Sequence, residues 1–145
     1  LTEIKTIIFP YGLEHLKMYK LSSKSKGRLQ GIDPRLISII NEALKISVID
    51  FGIPGDGGLR TAERQKELFD KKVSECDGTI NKSYHQTGKA FDVYAYVDGT
   101  ASWDRYHLTQ VAAAILQAAA MLGYQLRWGG LFKSFVDMPH FEIRD

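Results

Sequence analysis

The chain has 145 residues, 44% of them hydrophobic and 25% charged, with a net charge of +2. That length suits one globular domain with a real core, and the composition argues against a disordered or fibrous chain; the charge gives no basis for nucleic-acid binding. A single cysteine, Cys76, excludes an internal disulfide and a cysteine-rich zinc motif, and suits a reducing compartment.

The opening LTEIKTIIFPYG lacks a basic leader and carries only a short apolar patch ended by proline, so it does not read as a signal peptide. Residues 1–17 precede an internal methionine, Met18, and are expected to form an extension outside a single domain spanning 18–145. No apolar run approaches the roughly 20 residues of a membrane span, so no stable membrane insertion is expected. Residues 15–32 hold Lys17, Lys20, Lys24, Lys26 and Arg28 without an intervening acid. They read as a solvated, partly mobile arm, with a patch for an anionic surface as the alternative.

The first helix is predicted at IDPRLISIINEALK, with Asp33 as N-cap, Pro34 at the first helical position, and Leu36, Ile37, Ile40 and Leu44 on one face. SVIDFGIPGDGG reads as a short buried strand ending in a glycine-rich turn. That turn lacks the Lys-Ser/Thr of a phosphate loop. A second helix starts after Thr61, with Leu68 and Phe69 facing inward, and residues 74–87 read as a polar surface loop. AFDVYAYV alternates as a strand that places Ala90, Asp92 and Tyr94 on one face. The longest helix is expected over residues 103–122, capped by Ser102, stopped by Gly123, and packed closely on a sheet by its small residues. YQLRW and FVDMPHFEI are the last two strands. The order α, β, α, β, α, β, β favours an α+β fold.

Two stretches carry chemistry. In SYHQTGKAFDV, a turn at Gly88 returns the chain so that His85 comes near Asp92 on the following strand, and small Ala90 leaves room on that face. A carboxylate inside a sheet costs several kcal/mol unless it is paired or holds a metal. In DMPHFEI, His140 stands in an apolar strand with Asp137 three residues earlier. Two histidines and a carboxylate suit catalytic zinc, and a further carboxylate is then needed to accept a proton from water. Asp137 fits that task and Glu142 is its rival. On spacing alone, hydrogen-bonded core histidines remain the competing reading. Trp103, Trp128 and Tyr94 read as groove or core aromatics, and His15 and His107 lack a motif. The acids of SECDG raise the pKa of Cys76 and argue against a thiol nucleophile.

SYHQTGKAFD resembles the SxHxxGxAxD motif of the zinc peptidases that include D-Ala-D-Ala carboxypeptidases and dipeptidases, and DMPHF resembles their second motif. GLRTAERQKELF, GTASWD, AAAMLGYQLRWGG and SFVDMPHFEI are further similar to phage L-alanyl-D-glutamate endopeptidases. The resemblance covers residues 19–145. It implies a small antiparallel sheet packed against three helices, as in the hedgehog and D-Ala-D-Ala peptidase scaffold. It also implies one Zn2+ held by His85, Asp92 and His140, with Asp137 as general base. Arg60 then corresponds to the arginine that binds substrate and stabilises the transition state, and Ser83 and Gln65 to supporting groups. The implied protein is a monomeric endolysin, made in the host cytoplasm and released by a holin, that cuts the L-Ala-D-Glu bond of bacterial peptidoglycan. Aspartate at position 137, where the dipeptidase branch has glutamate, favours the endopeptidase branch. A D,D-carboxypeptidase and a non-catalytic zinc module of the same scaffold are the alternatives.

Overall fold

A computed structural model describes residues 2–9 and 12–145, those up to Lys17 by backbone alone. In chain order the elements are β1 (Thr2–Phe9), β2 (Gly12–Tyr19), α1 (Ser23–Arg28), α2 (Pro34–Ile46), β3 (Asp50–Gly52) and α3 (Ala62–Asp70). A 3-10 turn (Tyr84–Thr87) precedes β4 (Ala90–Asp92), β5 (Tyr94–Val97), β6 (Thr100–Ser102) and α4 (Arg105–Met121). β7 (Leu126–Trp128), a second 3-10 turn (Gly129–Leu131) and β8 (His140–Ile143) complete the chain. β1 and β2 form a hairpin, and two three-stranded antiparallel sheets have the orders β3-β5-β6 and β4-β8-β7. The α+β class holds, with two differences: the sheet is divided, and a fourth helix, α1, is present. The side chains of the expected extension, including His15 and Lys17, lie outside the described residues.

α2 forms as its sequence demands. Asp33 accepts a hydrogen bond from the Arg35 backbone N–H at 2.9 Å, and Pro34 occupies the first turn. Leu36, Ile39, Ile40, Ala43 and Leu44 are buried and pack on α4. α4 presents small residues, among them Ala112, Ala118 and Ala119, which let the two helices approach. It also meets β5 and β7. Its cap is Asp104, which accepts from the Tyr106 and His107 amides; Ser102, the expected cap, lies in β6 and pairs with His107 Nδ1 at 2.8 Å.

The β4-β8-β7 sheet positions the site. Its register sets Phe91, Phe141 and Trp128 in one cross-strand row and Ala90, Glu142 and Arg127 in the next, with Asp92 opposite His140. Phe141 stacks on Phe91 at 5.3 Å and on Trp128 at 6.5 Å. Because strand side chains alternate, the aromatic row faces the core and the charged row faces the other way.

Three expectations are corrected. The strand AFDVYAYV breaks at Val93, and β4 and β5 belong to different sheets, so Asp92 and Tyr94 share no face. Two loops take the backbone amides at the break: Asp92 N–H donates to Gly57 O at 2.8 Å and Val93 N–H to Pro139 O at 3.0 Å. The basic segment is no mobile arm from Leu21 on. Leu21, Leu29 and Ile32 enter the core, Ser25 accepts from Ile53 N–H, and Arg28 donates to Ile53 O at 2.7 Å. On α3 the inward residue is Gln65, fully buried, whereas Phe69 is 42% exposed.

Asp33 also accepts from Arg35 Nη2 at 2.8 Å and Lys89 Nζ at 2.9 Å, and both bases reach Asp145. The Arg35 hydrogen bond, joined by Lys89, holds the Asp33 carboxyl well below the usual carboxylate range. Asp33→Ala is expected to cost about 1–2 kcal/mol in urea unfolding at pH 7. A depressed folded-state pKa contributes stability above the unfolded value of 3.8, and that contribution fades as pH falls through the folded value. The difference from the wild-type chain should therefore persist at neutral pH and close only below about pH 4.

Candidate metal centre and active site

His85 comes from the 3-10 turn and is fully buried. Ser83 caps the turn, accepting from His85 N–H at 3.2 Å, while Gln86 Oε1 accepts from Ser83 N–H at 2.9 Å. Gly88 closes it with a φ of +73°, and its Cβ position faces the Gly31 carbonyl, so a side chain there meets both strain and backbone. The expected loop over residues 74–87 thus buries its functional end.

The ring atoms meet at one point. His85 Nε2 lies 3.2 Å from Asp92 Oδ1 and 3.2 Å from His140 Nδ1, and His140 Nδ1 lies 3.1 Å from the same Oδ1. The other ring nitrogens face acceptors: His85 Nδ1 faces Gly58 O at 2.9 Å, and His140 Nε2 faces Glu142 Oε1 at 3.1 Å. Those nitrogens therefore carry the protons of the neutral rings, and two lone pairs and a carboxylate oxygen converge. Such a triangle demands positive charge at its centre. Zinc–ligand bonds of about 2.0–2.2 Å in a tetrahedron require ligand atoms roughly 3.3–3.6 Å apart, a little wider than the spacing found. These three residues could hold a metal ion, and their donor set fits zinc. Without a metal His140 is pushed up to about 9; burial works downward, but hydrogen bonds to Asp92 and Glu142 outweigh it. Burial also works against the charged form of Asp92, yet the charge of His85 and the hydrogen bonds from both rings hold that carboxyl far below its usual range.

Arg60 ties the parts together. Its Nη2 donates to Asp92 Oδ2 at 2.8 Å, its Nη1 to Gln65 Oε1 at 3.2 Å, and its backbone N–H to His85 O at 3.1 Å. Gln65 in turn donates to Ser74 Oγ and Cys76 O. Asp137 stands beside the cluster on the segment before β8. Its N–H donates to Gly129 O at 2.9 Å, and its carbonyl and β-carbon occupy the space a Gly129 side chain would need. Trp128 Nε1 donates to Met138 O at 2.7 Å and fixes the next residue. Among the described residues no other side chain hydrogen-bonds the Asp137 carboxylate. Burial, and then the Asp92 charge, push its pKa up. A cleft of about 270 Å³ opens beside these groups, walled by Arg60, His85, Asp137 and His140 and rimmed by Tyr84 and Phe135.

His85, Asp92, His140, Asp137, Arg60, Gln65 and Ser83 are thus brought together. Tyr94 and Trp103 pair elsewhere at 6.1 Å, Trp128 packs on the core, and His107 sits at the start of α4. Burial, then Asp77 and Glu75, push the Cys76 thiol up. Sequence reasoning missed the Gly58 carbonyl, hidden in a glycine-rich turn weighed only for phosphate. The i, i+2 spacing put Glu142 on the strand face of His140, but it was weighed only as a rival base and not as the partner of the His140 ring.

A profile of the phage L-alanyl-D-glutamate peptidases matches residues 17–143. The chain belongs to this family. It is 31% identical over 127 residues to the L-alanyl-D-glutamate peptidase of Escherichia phage T5, covering 87% of this chain and 90% of that one. It is 30% identical over 115 residues to the peptidoglycan L-alanyl-D-glutamate endopeptidase CwlK of Bacillus subtilis, covering 70% and 68%. The crystal structure of the Serratia marcescens L-Ala D-Glu endopeptidase ChiX superposes with a TM-score of 0.76 at 33% identity, over 86% of this chain and 90% of that one.

A metal that binds the folded state alone stabilises it by about 2.7 kcal/mol at a hundredfold excess over its dissociation constant. Zinc added to metal-free protein is therefore expected to raise Tm in calorimetry, and His85→Ala to remove that rise.

Proposed function

We propose that the chain is a zinc-dependent peptidoglycan endopeptidase, an endolysin that hydrolyses the L-Ala-D-Glu bond of the stem peptide. The observation that carries this reading is the triangle of His85 Nε2, Asp92 Oδ1 and His140 Nδ1 beside a half-buried Asp137 that lines the same cleft. Membership of the L-alanyl-D-glutamate peptidase family supports the choice of bond.

His85, Asp92 and His140 would hold the metal. Zinc, when bound, supplies Lewis-acid charge that lowers the pKa of a water to about 7. Asp137, whose proton affinity is raised by burial and by Asp92, takes a proton from the attacking water and returns it to the departing amine. Arg60 keeps Asp92 in place and presents positive charge to the cleft wall, where negative charge develops on the carbonyl oxygen. Gln65 and Ser83 hold Arg60 and the His85 turn. Lys82 and Arg144 also line the cleft, which suits a stem peptide rich in carboxylates.

The reading extends to residues 18–145 as a monomeric catalytic domain, to residues 1–17 as an extension, and to synthesis in the host cytoplasm with holin-type release. The phage relative supports the last point, and no described helix is long and apolar enough to cross a membrane.

Mass spectrometry of muropeptides digested by zinc-loaded protein tests the bond. A new D-Glu amino terminus is expected; released D-Ala instead would make the chain a carboxypeptidase. Asp137→Ala is expected to lower turnover by about 10²- to 10⁴-fold while leaving one zinc bound, measured by steady-state kinetics and elemental analysis.

A further inference from the structure

We infer that Glu142 is a positioning residue that selects the His140 tautomer and so aims Nδ1 into the metal cluster. The inference rests on reading His140 as a metal ligand. Imidazole offers two nitrogens, and only one can face the cluster with its lone pair. Glu142 Oε1 lies 3.1 Å from Nε2 and accepts its proton, which leaves Nδ1 unprotonated beside Asp92 and His85.

The carboxylate is built for this task. Glu142 is 5% exposed and follows His140 by two residues on β8, so both side chains leave the same face of the strand. Ala90 is its cross-strand partner, and a methyl group leaves that position open. Oε2 accepts from Arg144 Nε at 3.2 Å and is paired with Arg127 Nη1 at 3.5 Å. Each guanidinium is itself seated on a ring: Arg144 over Tyr84 at 5.3 Å, and Arg127 over Phe132 at 5.1 Å. With both oxygens engaged, Glu142 is oriented toward His140 and is not free to act as a base. An unpaired carboxylate at this depth is costly, and the two arginines offset that cost while leaving Oε1 for the ring.

Zinc dissociation constants, measured by competition with a chromophoric chelator, test the inference. Glu142→Ala is expected to weaken zinc binding by about 10- to 100-fold. Glu142→Gln, whose amide oxygen can accept the same Nε2 proton, should restore affinity to within a few-fold of wild type. Equal affinity in wild type and Glu142→Ala, or a Gln variant as weak as Ala, overturns the inference. Long-range ¹H–¹⁵N spectra of the zinc-loaded wild-type chain need no variant: His140 should carry its proton on Nε2, and a proton on Nδ1 overturns the assignment. A wild-type chain that takes up no zinc would instead remove the proposed function, and this inference with it.

Discussion

The pairing of Asp92 with His140 across β4 and β8 is the constraint on which the rest depends. A one-residue slip in that register would turn every side chain to the opposite face. Phe91 or Phe141, on whichever strand slipped, would then leave the core, and Asp92 or His140 would turn into it. Burying a large aromatic side chain is worth about 1.5–3 kcal/mol, so the hydrophobic face defends the register that the polar face uses. Core packing and site geometry are two sides of the same sheet.

Loops supply what the sheet cannot. His85 reaches Asp92 only because a capped 3-10 turn ends in a left-handed glycine packed against Gly31. Gly58 presents a carbonyl to the ring from the far side, and no larger residue fits there because its side chain would meet the Arg28 backbone. Gly129 performs the same service for Asp137. Three carboxylates crowd this region, and their surroundings separate their tasks. Asp92 is held ionised by two rings and Arg60, and Glu142 is engaged by His140 and two arginines. Asp137 lacks such partners, and burial raises its proton affinity.

Elements governed by local rules were legible in the sequence. Asp33-Pro34 and the apolar spacing behind it mark α2, and Gly123 with its φ of +80° ends the long helix as expected. The paired His-Asp stretches identified the groups that converge, because a buried acid and two histidines have few inexpensive explanations. Features set by distant partners were not legible. Nothing near Val93 announces that Gly57 and Pro139 will take the amides on either side of the strand break. By its spacing on α3 Gln65 looks like a surface residue; only the family resemblance assigned it to the site, where Arg60, Ser74 and Cys76 surround it. The basic run from Lys20 reads as solvent-facing by charge, yet its intervening Leu21, Leu29 and Ile32 belong to the core.

Anomalous diffraction from a zinc-loaded crystal tests the central claim most directly. The account requires a single zinc peak bounded by His85 Nε2, an Asp92 carboxylate oxygen and His140 Nδ1, with Glu142 on the far side of the His140 ring. A zinc held through His140 Nε2 and Glu142, or bound away from Asp92, would contradict it.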